Sequence, residues 1–105
     1  MDEKKIQEMQ IIEQKLQNSF FQKQAFQMEL AETSSALSEI EKSGDEVFKI
    51  IGQLMIKSEK SKIKEELIEK QKILELRIKS FEKQEISLTE QMEKLRDELT
   101  KPIKK

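Results

Sequence analysis

The sequence predicts a predominantly α-helical protein, with two long helices folded into an antiparallel coiled coil and joined by a short β-hairpin. Three observations carry that expectation. The first 42 residues contain no Gly or Pro. A 3–4 apolar rhythm runs through both halves of the chain. Between the two rhythms lies a single β-branched, apolar stretch with Gly52 at its middle.

The N-terminal helix is expected over residues 1–42. Steps of three and four from Met9 visit Met9, Ile12, Leu16, Ser19, Lys23, Phe26, Leu30, Thr33, Leu37 and Ile40, and seven of these ten are apolar. A stripe sustained over several heptads is a coiled-coil seam. Lys42-Ser43-Gly44-Asp45 supplies the stop, with Gly44 suited to the left-handed residue that often follows a helix.

The linker 43–60 holds the hairpin, expected over 47–57. Val47-Phe48-Lys49-Ile50-Ile51 and Leu54-Met55-Ile56-Lys57 read as two strands around a tight turn at Gly52-Gln53. An isolated two-stranded hairpin is marginally stable in water. Apolar side chains beside open strand edges call for further strands to cover them, so the hairpin implies oligomerisation.

The second helix is expected over 61–101, with Glu65 and Glu66 in or near its first turns. Its seam visits Leu67, Gln71, Leu74, Ile78, Phe81, Glu85, Leu88, Met92, Leu95 and Leu99, eight of them apolar. Pro102 ends it, and 102–105 form a tail. Laid antiparallel about Gly52, the seams pair Leu37 with Leu67, Leu30 with Leu74, Phe26 with Ile78 and Leu16 with Leu88. Polar positions meet as well: Thr33 with Gln71 and Ser19 with Glu85. Lys23 opposite Phe81 is the one mixed layer, where a lysine stem can lie on a ring while its head reaches water. At about 1.5 Å of rise per residue, each helix would be roughly 60 Å long.

Composition limits the chemistry. The 105 residues allow one domain at most, and 39% charged against 35% hydrophobic residues is the usage of long helices. Histidine and cysteine are absent, which removes the commonest general base, the thiolate nucleophile and every disulfide. The chain is not expected to be an enzyme, and no cofactor or metal is expected. Glu39, Glu41, Asp45 and Glu46 lack the spacing of a calcium loop and read as a solvated helix end. Gly44 and Gly52 stand alone, without a phosphate-binding loop. No apolar run approaches the ~20 residues of a membrane span, so a soluble, cytoplasmic protein is expected. The first 52 residues carry ten acidic and six basic side chains, the remainder eleven and fourteen. That balance suits two halves folding on each other and is too mixed for a nucleic-acid surface.

Near the chain ends, Ile6, Ile11, Leu99 and Ile103 add apolar surface that a two-helix seam does not fully cover. Two readings stand for it: an adaptable patch that grips apolar partners, with Met as a pliable component, or simple fraying of helix ends.

The stretches Gln22-Lys23-Gln24, Glu29-Leu30, Ala36-Leu37-Ser38-Glu39-Ile40, Val47 to Lys57, Leu74-Glu75-Leu76-Arg77 and Glu82-Lys83-Gln84-Glu85 together resemble the β-class subunit of prefoldin, of archaeal type. The resemblance covers nearly the whole chain. Its most specific piece is Val47-Phe48-Lys49-x-x-Gly52-x-Leu54-x-x-Lys57 between two heptad helices.

The resemblance implies a single prefoldin-like domain over 1–105, an ATP-independent molecular chaperone (holdase) subunit. Its hairpin would assemble into an oligomeric β-barrel platform with α-class and further β subunits, as a hexamer of two α and four β. Val47, Phe48, Ile50, Ile51, Gly52, Leu54, Met55 and Ile56 would be the assembly element. The tips that bind non-native proteins, for delivery to a group II chaperonin, would carry Ile6, Met9, Ile12, Leu16, Met92, Leu95, Leu99 and Ile103. Two departures stand out: Phe48 lies where the family often has Tyr, and the tail after Leu99 is short and rich in lysine. The rival reading is a non-chaperone coiled-coil adaptor or tether, which would have no need of a β-branched run between its helices.

Overall fold

The computed structural model describes residues 2–100. Their order is α1 (Glu3–Lys42), β1 (Val47–Ile51), β2 (Leu54–Ser58) and α2 (Lys60–Thr100). The two long helices and the hairpin of the sequence reading are therefore present. By packing, the chain divides into a terminal unit, Met1–Gln24 with Ile78–Lys105, and a hairpin unit, Ala25–Arg77.

In the terminal unit, Asp2 caps α1. Its Oδ1 accepts the Lys5 backbone N–H at 3.2 Å, satisfying one of the donors a helix start leaves unpaired. Ile12, Ile78 and Leu88 are buried, as the seam requires. The polar layer differs from its expected form. Lys23 does not send its ammonium to water past Phe81; it pairs with Glu85 at 2.8 Å, both side chains about one-fifth exposed (19% and 20%). Glu85 is thereby committed to Lys23, and the Ser19 hydroxyl, expected opposite it, is buried without a hydrogen-bond partner. A long lysine side chain spans to the next layer, which simple position-to-position pairing does not capture. At the open end of the helices, Lys5 bridges to Glu98 at 3.1 Å.

In the hairpin unit, Leu74, Ile40 and Thr33 are buried. Thr33 spends its hydroxyl on the Glu29 carbonyl of its own helix at 2.8 Å. Gln71, expected to meet Thr33, donates instead to the adjacent Ser34 hydroxyl at 2.9 Å. A threonine inside a helix readily bonds back to the carbonyl four residues earlier, and this leaves the glutamine to the neighbour. The Arg77 guanidinium lies 5.4 Å from the Phe26 ring centroid, a cation–π distance.

The end of α1 corrects the role assigned to Gly44. Among the described residues only Gly52 has a positive φ, so Gly44 is not a left-handed cap. Ser43 closes the helix: its backbone N–H (3.3 Å) and its hydroxyl (2.8 Å) both donate to the Ile40 carbonyl. Tightening of the last turn by such short-range bonds satisfies a carbonyl that the helix would leave open. The Lys60 ammonium then donates to the Ser43 carbonyl at 2.8 Å, tying the start of α2 to the end of α1.

Candidate functional site: the hairpin and the helix ends

β1 and β2 pair antiparallel, with Val47 opposite Ser58, Phe48 opposite Lys57, Lys49 opposite Ile56, Ile50 opposite Met55 and Ile51 opposite Leu54. This leaves the two-residue turn Gly52-Gln53. Gly52 has φ 60° and Gln53 is not in the positive region. A positive φ at the first central residue alone is the signature of a type II′ turn, whose twist matches that of the strands it joins.

Directly opposed residues point to one face of a sheet. One face of this ribbon carries Phe48, Ile50 and Met55; the other carries Val47, Ile51, Leu54 and Ile56. An antiparallel sheet ordinarily buries one face and wets the other with polar side chains. Here both faces are apolar and, Val47 apart, uncovered: Ile50 is 69% exposed, Leu54 and Met55 67% each, and Phe48 51%. Ile51, Gly52 and Ile56 are exposed too.

Two exposed ion pairs involve the hairpin: Lys49 reaches Glu66 of α2 at 3.0 Å, and Lys57 of β2 meets Glu46, just before β1, at 3.6 Å. Between hairpin and helices lies an open hollow of about 730 Å³, with Ile40, Val47, Phe48, Ile63 and Leu67 among its lining residues.

In the terminal unit, the residues expected at the tips lie along the helix seam. Ile12 is buried, while Ile6, Met9, Leu16, Met92, Leu95 and Leu99 are half-buried. Ile103 lies outside the described residues. A hollow beside the seam is lined by Ile11, Ile12, Lys15 and Leu95, and Ile11 is exposed.

Besides Ile11, this unit exposes three large apolar side chains that the heptad positions do not include: Phe20, Phe21 and Ile86. They occupy positions beside the seam or on its outer side. Apolar residues that helical periodicity does not require for the core were the available signal.

Among the described residues, no group of three or more acidic side chains is arranged to hold a metal. Of the acidic residues near the end of α1, Glu41 pairs with Lys64 at 3.3 Å and Glu46 with Lys57. No helix among the described residues is long and apolar enough to cross a membrane.

Two long helices bearing an uncovered apolar hairpin define a coiled-coil hairpin protein. The comparisons with known proteins specify which kind. Residues 3–105 match the family model described as prefoldin subunit. Prefoldin subunit beta of Pyrobaculum calidifontis is 38% identical over 92 residues, spanning 86% of this chain and 74% of that protein. Prefoldin subunit beta of Thermococcus onnurineus is 44% identical over 85 residues, spanning 79% and 73%. A crystal structure of the prefoldin beta subunit from Thermococcus strain KS-1 superposes with a TM-score of 0.85 at 36% identity, covering 94% of this chain and 91% of that one. The chain belongs to the prefoldin subunit family, a family of chaperones, and falls with its β subunits.

Proposed function

We propose that the chain is one subunit of an ATP-independent holdase that captures non-native proteins and passes them to a group II chaperonin. The observation that carries this is the hairpin, apolar on both faces and largely uncovered, in a chain of the prefoldin family. Such a ribbon is unfavourable in water and favourable once other strands bury it. Val47 to Ile56 serve as the assembly element. Their partners are α-class and further β subunits, joined as two α and four β into a β-barrel platform in the cytoplasm.

The helix ends carry the client-binding residues Ile6, Met9, Ile12, Leu16, Met92, Leu95, Leu99 and Ile103. Half-burial of most of them along the seam suits weak contact made as the helix ends loosen, a motion that needs little energy in the last turns of a helix. Several such ends on one platform combine weak contacts through effective concentration, so no single arm needs high affinity. Release then follows when contacts are lost one at a time.

The test is co-expression with an α-class prefoldin subunit, mass measurement of the product, and light scattering of a denatured client on dilution without nucleotide. A complex of two α and four β that suppresses scattering is expected. A product that stays monomeric, or a complex without effect on scattering, overturns the reading.

A further inference from the structure

The terminal unit has an apolar face that neither the seam nor the helix-end residues account for. Phe20 and Phe21 are 53% and 66% exposed, and their rings meet edge to face with centroids 5.9 Å apart. With Leu16 they line one hollow; Ile86, also exposed, lines a second. Glu85 borders both hollows, so the two adjoin.

The frame of this face is acidic. Glu13 borders the first hollow, and Glu82, Glu90 and Glu93 border the second. Lys23 is the one cation lining either hollow, and its charge is matched by Glu85 at 2.8 Å. The other four carboxylates lie in no ion pair with a cation among the described residues. The face therefore combines exposed aromatic surface with carboxylates that have no ion-pair partner among the described residues.

We propose that this face is a client-contact surface that reaches beyond the helix-end residues, meeting them at Leu16, and selects apolar segments that carry Lys or Arg. The inference rests on the holdase reading and names a preference within it. Opposite charge around an apolar contact raises both encounter rate and selectivity. The two exposed Phe rings act in the same direction, because a cation over an aromatic face is attracted by the ring quadrupole. A second copy of the chain is a poor occupant, since matching acidic frames would face each other. An acidic segment meets the same repulsion.

The experiment uses the full chain and two fluorescent peptides with identical apolar residues, one bearing lysines and the other glutamates. Anisotropy should show the lysine peptide binding about tenfold more tightly at low salt, the size expected of several weak surface charge contacts acting together. Phe20→Ser with Phe21→Ser should weaken the lysine peptide by about tenfold. Because both rings point to solvent, helical circular dichroism should be unchanged. Glu90→Lys with Glu93→Lys should reverse the order of the two peptides.

An unchanged order in the lysine double variant overturns the inference, as does wild-type affinity in the serine variant. Self-association abolished by the serine substitutions also overturns it, since a second copy would then be the occupant. Client aggregation suppressed by the wild type together with an unchanged peptide order refutes this face alone. Absence of suppression by the wild type refutes the chaperone reading and this inference with it.

Discussion

Ile50→Asp separates assembly from folding. Ile50 is 69% exposed in the single chain and sits opposite Met55. Fully burying an isoleucine stabilises by at most about 3 kcal/mol, so covering the remaining two-thirds at an interface contributes about 2 kcal/mol. Aspartate forfeits that gain and adds the cost of taking a carboxylate out of water, about 3 kcal/mol or more after relaxation. The total of about 5 kcal/mol per interface corresponds to a roughly 10³- to 10⁴-fold weaker association. In the single chain the same side chain faces solvent, and the loss is confined to strand propensity, about 1 kcal/mol or less. Light scattering coupled to size exclusion, with an α-class subunit present, should find dissociated chains at micromolar concentration. Circular dichroism should find the helices intact. If the variant still elutes as the full assembly, the hairpin is not the element that holds the platform.

Three further outcomes are expected. Replacing Met9, Leu95 and Leu99 by Ser should weaken suppression of client aggregation severalfold while the assembly keeps its mass; unchanged suppression would remove the helix ends as a client site. Lys23→Met alone leaves Glu85 without its ion-pair partner at a site about one-fifth exposed, costing about 2 kcal/mol in urea unfolding. Lys23→Met with Glu85→Leu should recover that loss, and a double variant no more stable than the single one would refute the coupling. Gly52→Val places a β-branched residue at φ 60° with no atom near its Cβ. It should cost about 1–2 kcal/mol by backbone strain alone and lower the assembled fraction, as read by urea unfolding and size exclusion.

The features that were legible before the structure are those set by periodicity. Leu74, Ile78 and Leu88 fall on a 3–4 rhythm and are buried, because on a helix spacing alone decides which side chains share a face. The hairpin was legible for a different reason. Gly52 between two short apolar runs leaves few conformations other than a tight turn. What spacing does not encode is which neighbour a long or hydroxylated side chain chooses. Lys23 reaches Glu85 instead of water, Thr33 bonds its own helix, and Ser43 does the capping assigned to Gly44. Each outcome depends on competition among several polar groups within a few ångströms. Phe20, Phe21 and Ile86 escaped for a third reason. A search for core positions stops once the seam is complete, and their significance lies in not being needed there.

The thinness of the core bears directly on what stability can mean for this chain. Among the described residues, the buried apolar side chains are Ile12, Ile40, Val47, Leu74, Ile78 and Leu88, and none of them is fully enclosed. A two-helix seam offers each side chain a partner on one side and water on the other, so the helices gain little beyond what orders them. The hairpin adds exposed apolar surface without adding enclosed volume. In the proposed assembly, association would bury the ribbon and add to the folding free energy by mass action. Apparent stability should therefore rise with protein concentration and with added α subunit, and Ile50→Asp should remove that dependence. On the proposed holdase reading, helix ends held by a thin seam would open to a client at small cost, and burial of the hairpin would hold the subunits together.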